Sequence, residues 1–122
     1  LAVAENMLTA FPKVAGLFAS NESSAAGAAQ ALRARTAMKV KMVGFDSSAP
    51  LVEDLRKGLI DSLVVQQPFQ MGYQSVMAAV NHLGGKEVVK VNNLAPKLVT
   101  AQNVDTPEMQ ELVNPDLKKY LP

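Results

Sequence analysis

Three short apolar runs, at residues 14–19, 40–45 and 62–65, constrain the fold of this chain more than any other feature. They begin about two dozen residues apart, the spacing of βαβ units in which a helix crosses between parallel strands. The first run, VAGLFA, is nearly continuous and suits a strand covered on both faces. Residues 22–35 between the first two runs are alanine-rich, contain Leu32 and lack proline, which predicts a helix. The small residues Ala25, Ala26, Gly27, Ala28 and Ala29 let such a helix lie close to a sheet. Between the second and third runs, Ser47 or Ser48 can cap a helix, Pro50 fits its first turn and Gly58 fits its C-terminal end.

The remaining elements continue the alternation. Residues 1–10 carry Val3, Met7 and Ala10 at helical spacing, and Phe11-Pro12 closes that helix. After Pro68, the residues Phe69, Tyr73, Val76, Val80 and Leu83 form a helical stripe that Gly84-Gly85 ends. Residues 88–91 and 97–100 are short strand candidates, and 107–112 and 115–120 are short helical turns. The order is α/β throughout, which predicts right-handed crossovers and a parallel sheet.

Composition narrows the function. The chain has 122 residues, is 48% hydrophobic and 19% charged, and carries a formal charge of +1. One globular domain with a real core is within reach. The near-neutral balance gives no basis for a nucleic-acid partner or an acidic membrane surface. The absence of cysteine rules out disulfides, thiolate metal sites and a cysteine nucleophile. No apolar run approaches the ~20 residues of a membrane helix. The chain starts at Leu1 inside a helical pattern and reads as a fragment or a processed product.

Each of the three apolar runs is followed by a strongly polar side chain: Asn21, Asp46 and Gln66. If the runs are parallel strands, these residues gather at the C-terminal edge of the sheet, where open α/β folds bind ligands. Two amides and a carboxylate suit hydrogen bonding to a neutral, hydroxyl-rich molecule, because the carboxylate accepts and the amides both donate and accept. Each residue taken alone also has a plain structural role. Asn21 can cap the alanine-rich helix, and Asp46 can serve the turn before Pro50.

No constellation for bond-making chemistry is present. Phosphate-binding loops, the dinucleotide fingerprint and the nucleophile elbow are all missing. His82, the only histidine, stands at a helix end. Ser23 and Ser24 have no candidate base, and Glu22 suits a helix N-terminus. Glu53, Asp54 and Asp61, among Arg56 and Lys57, read as a solvated face. Met38, Met42, Met71, Met77 and Tyr73 read as packing residues. The reading is therefore a binding module without catalytic residues, cofactor or metal.

Three segments, GLFASNESSAAGAAQAL, KMVGFDSSAPLVEDLRKGLIDSLVVQQPFQMGY and LVTAQNVD, resemble the C-terminal part of sugar-binding periplasmic proteins. These are the ribose-binding-like (type I) substrate receptors of ABC transporters. The GFD and Q-x-P-x-x-M-G-Y segments are the most specific parts, and the resemblance covers nearly the whole chain. Effector domains of lac-repressor-type regulators share the fold and the GFD segment. The stretch GLIDSLVVQQPFQMGYQSV looks more like a transport receptor.

The resemblance implies a three-layer α/β/α, periplasmic-binding-protein-like architecture of two lobes, of which this chain holds an incomplete, C-terminal portion. It implies that residues 1–67 belong to the second lobe, that 68–100 pack in the first lobe and that 101–122 cross back. It implies that Asn21, Asp46 and Gln66 contact sugar hydroxyls. Asn21-Glu22 and Ser47 stand where the family usually has Asn-Asp and glycine. The implied partners are a small neutral sugar or polyol and, for the intact protein, a membrane permease, with a periplasmic or lipid-anchored extracytoplasmic location. Uncovered surfaces are expected to drive association with a second copy or with the missing fragment.

Overall fold

A computed structural model describes residues 1–35 and 39–120. Met38 lies outside the described residues. The chain divides into two compact units, residues 1–65 with 98–120 and residues 66–97.

The first unit is built on a sheet of order β1-β2-β3-β4, with β1 Gly16–Phe18, β2 Lys41–Phe45, β3 Ser62–Val65 and β4 Lys97–Thr100, whose first residue is the last of the second unit. β1 pairs with β2 and β2 with β3, both in parallel, with Leu17 opposite Met42 and Gly44 opposite Leu63. The fold is therefore α/β with a parallel sheet. Helices α1 (Ala2–Ala10), α2 (Glu22–Arg33), α3 (Ala49–Arg56) and α5 (Pro107–Val113) complete the unit. The fourth helix of the chain, α4 (Pro68–Leu83), belongs to the second unit. α2 packs on β2 and beside α3, so both crossover helices share one face, as two right-handed connections to successive neighbouring strands require. The pleat and register direct Leu17, Met42, Gly44, Leu63 and Val65 toward that face.

Local chemistry explains the element boundaries. α3 begins with proline in its first turn and ends on Gly58 at φ +75°. There the Gly58 N–H donates to the Leu55 carbonyl and the Leu59 N–H to the Asp54 carbonyl, the paired bonds of a Schellman motif. α4 ends in the same way, with Gly85 at φ +74° and bonds from Gly85 and Lys86 to His82 and Asn81. The N–H of Met42 and the Lys41 ammonium both bond to the Asp61 carboxylate. Burial pushes that carboxyl up, but the bonds from Lys41 and Met42 and the charge of Lys41 outweigh it and hold the group below its ordinary value.

The core collects Leu8, Ala25, Ala28, Ala29, Leu32, Met42, Leu51, Leu55, Ile60, Leu63, Val99 and Val104. Ala25, Ala28 and Ala29 are buried as expected, whereas Ala26 is exposed. Gly44 lies where Ala25 of α2 comes close to the sheet. A Cβ there would lie 2.8 Å from Leu63 Cδ2 and 3.4 Å from the Ala25 Cβ. Leu63 is fully buried and has little room to yield. Gly44→Ala is expected to lower stability by about 1–3 kcal/mol through overpacking, read as a lower urea midpoint at unchanged m-value.

The expected helix α1 forms, burying Leu8 with Ala4 partly covered and leaving Val3, Met7 and Ala10 exposed. It packs against α2, and that neighbour selects the buried side. Asp54 does not lie on a solvated face. It is 5% exposed and forms a two-pronged ion pair with Arg33, joining α3 to α2. Residues 88–91 form no strand, because no neighbouring strand pairs with them in the described residues.

The second unit consists of α4 and the irregular segment that follows it. Gln67 Nε2 donates to the Ala95 carbonyl and Asn92 Nδ2 to Gln74 Oε1, tying that segment to the helix. The expected stripe is present, yet no residue of α4 is buried. Tyr73 is 58% exposed, and Met71 and Met77 are also exposed rather than packed. One helix with an irregular strap supplies too little apolar surface to cover that stripe.

Candidate functional site

The parallel pairing of β1, β2 and β3 brings their C-terminal ends to one edge of the first unit, and two of the three polar residues stand there. Beyond β1, the Ala19 N–H still donates to the Val43 carbonyl, at 3.0 Å, so the ladder holds the chain until just before Asn21. Asn21 then adopts extended backbone at φ −158° and caps α2. Its Oδ1 accepts the Ser24 N–H at 2.8 Å and the Ser23 hydroxyl at 3.1 Å. The capping role is thus realised, and the exposed side chain also stands at the sheet edge.

Asp46 follows β2 directly and is half-buried. Its N–H donates to the Val64 carbonyl at 2.9 Å, which extends the β2–β3 ladder by one residue. It has φ +67°, the single non-glycine residue with positive φ among the described residues. A left-handed residue at the end of a strand turns the chain sharply, and such strained positions concentrate at functional sites. Ser47 and Ser48 follow, and Ser48 takes the cap position of α3 without a side-chain cap bond. The only sequence signal for the left-handed turn is that aspartate tolerates it better than most residues.

Gln66 directly follows Val65, the last residue of β3, and is the first residue of the second unit. It is exposed. The sheet therefore brings together Asn21 and Asp46 but not Gln66, which begins the second unit. Among the described residues no cluster of three His, Asp or Glu side chains is arranged to hold a metal ion.

This edge offers an amide and a carboxylate at the mouths of adjacent βα turns. A carboxylate can accept charge-assisted bonds from hydroxyl donors, which are stronger than bonds between neutral groups.

Residues 1–87 match the family model of a periplasmic binding protein domain. Over 102 residues the chain is 34% identical to the ribose import binding protein RbsB of Salmonella typhimurium, covering 84% of this chain and 34% of that protein. The Bacillus subtilis protein of the same name is 31% identical, covering 82% of this chain and 32% of its own length. Among solved structures, a carbohydrate transporter solute binding protein from Agrobacterium radiobacter in complex with D-arabinose superposes with a TM-score of 0.85 at 36% identity. That match covers 93% of this chain and 39% of the other. An ABC transporter solute binding protein from Agrobacterium vitis with bound D-fucose gives a TM-score of 0.84 at 31% identity, covering 92% of this chain and 39% of the other. The chain spans about a third of the length of the curated relatives it matches.

Proposed function

The chain belongs to the periplasmic binding protein family, and from that we propose that it is the C-terminal portion of the solute-binding component of an ABC-type sugar transporter. The observation that carries this reading is the agreement over most of the chain with sugar-bound solute binding proteins, together with Asn21 and Asp46 on one sheet edge. The ligand is a small neutral sugar or polyol, held by hydrogen bonds with no covalent step. Asn21, Asp46 and Gln66 are the contacts this portion contributes. The intact protein works in the periplasm, or otherwise outside the cytoplasmic membrane, and delivers its ligand to a membrane permease. The relatives above 30% identity named here are import and solute binding proteins, which favours this reading over a regulator's effector domain.

In this reading residues 1–67 belong to the second lobe, 68–100 pack in the first lobe and 101–122 return to the second. Two observations support it. Residues 66–97 form a compact unit of their own, and the apolar stripe of α4 is uncovered in it. A stripe of that length is an interaction surface awaiting a partner. Phe18, 63% exposed on the sheet face away from α2, and the edge position of β1 add to the uncovered surface.

The chain alone is therefore expected to associate, either with copies of itself or with the rest of the receptor when both are mixed. Light scattering at roughly tens of micromolar protein checks this, since mass action favours association as concentration rises. A monomer that stays monomeric on addition of the remaining fragment would count against the lobe assignment. The sugar-binding reading itself is tested by calorimetry on the intact protein with D-ribose, D-arabinose and D-fucose.

A further inference from the structure

We propose that Gln67 is a positioning residue for Gln66, its side chain fastening the start of the second unit to the end of that same unit. This rests on the reading of Gln66 as a sugar contact given above. Gln67 takes the N-cap position of α4, yet its side chain makes no cap bond. Its Nε2 donates instead to the Ala95 carbonyl at 2.7 Å, 28 residues further along the chain. A carbonyl can only accept, so the amide faces it with its NH2 group. Gln67 is the second residue of the second unit, and Ala95 stands two residues before its last, Lys97. One hydrogen bond therefore joins the outgoing and the returning segments of that unit close to both of its ends. Gln67 and Ala95 each precede a proline, Pro68 and Pro96, which narrows their backbone freedom further.

The bond sits one residue from Gln66. On its other side Gln66 follows Val65, which is buried and ends β3. The backbone of Gln66 is thus held from both directions along the chain, by the last strand residue before it and by the Gln67–Ala95 bond after it. A contact held in this way loses less freedom when ligand arrives, which favours binding without adding a bond to the ligand. A second tie, from Asn92 Nδ2 to Gln74 Oε1, holds the same returning segment to α4 further from Gln66. Its loss would loosen the segment without touching the backbone beside Gln66.

Calorimetry on the intact protein, with the tightest binder of D-ribose, D-arabinose and D-fucose as probe, tests the assignment. Gln67→Met keeps the length of the side chain and removes the donor. It is expected to lose about five- to tenfold in affinity, the size of one neutral hydrogen bond, at an unchanged melting temperature. Asn92→Leu, which breaks the other tie, is expected to bind as wild type. Gln66→Ala removes the contact itself, so Gln67→Met is expected to cost nothing further in that background. A loss that persists undiminished in the Gln66→Ala background, or an equal loss for Asn92→Leu, makes Gln67 a merely structural residue and overturns the assignment. If Gln66→Ala loses affinity while Gln67→Met binds within about twofold of wild type, the positioning role fails and the sugar-site reading stands. If Gln66→Ala itself binds normally, or none of the three sugars binds, the reading of Gln66 as a contact fails and takes this assignment with it.

Discussion

Replacing Asp46 by alanine in the intact receptor is expected to weaken sugar binding by about 100-fold or more, whereas Ser47→Ala changes it by less than about threefold. The size follows from the chemistry. A carboxylate that accepts two hydroxyl bonds contributes about 1.5–3 kcal/mol for each, and every 1.4 kcal/mol is a factor of ten in affinity. The backbone adds a second consideration. Asp46 sits at φ +67°, where alanine carries a strain of about 1 kcal/mol and glycine carries none. Asp46→Gly therefore removes the carboxylate with the turn relaxed, and its affinity isolates the side chain from the backbone. Calorimetric titration of the three variants checks this. Equal small losses for Asp46→Gly and Ser47→Ala would remove Asp46 from the site.

The chain on its own is expected to bind the same sugar at least about a thousandfold more weakly than the intact protein. It spans about a third of the length of its curated relatives, so in the proposed reading most of the opposing lobe is absent. A ligand held on one side keeps part of its surface in water, and the hydrogen bonds on that side compete with solvent. The entropy of capture is the same with half the contacts. Calorimetry of the 122-residue chain beside the intact protein reads the difference directly. Sub-micromolar binding by the isolated chain would mean that this edge suffices and that the two-lobe clamp is the wrong description.

Much of the candidate site's placement is legible in the sequence. Strand ends can be read where apolar runs stop, and Asn21, Asp46 and Gln66 each follow such an end. Parallel pairing then puts Asn21 and Asp46 on one edge. The helix stops at Gly58 and Gly85 were equally legible, because only a residue comfortable at positive φ closes a Schellman turn. Gly44 was legible only as part of a GFD segment. Its reason, the approach of Ala25 and Leu63, is a three-dimensional contact that no local pattern encodes.

What the sequence left unread shares one cause. The helix expected from the spacing of Val3, Met7 and Ala10 forms, but that spacing does not say that α1, which packs against α2, buries Leu8. Asp54 sits in a charged stretch, yet α3 carries it to Arg33, 21 residues earlier in the chain. The stripe of α4 is correctly helical and apolar, but periodicity cannot say what covers it.

By itself, then, the amino-acid order determined the elements, their boundaries and the α/β alternation, because periodicity, capping and turn propensity act over a few residues. Tertiary structure decided which face each helix buries, the register that aligns the strand ends and the left-handed turn at Asp46. Those depend on surfaces brought together from distant parts of the chain, and each is settled by whichever packing and hydrogen-bond partner arrives there.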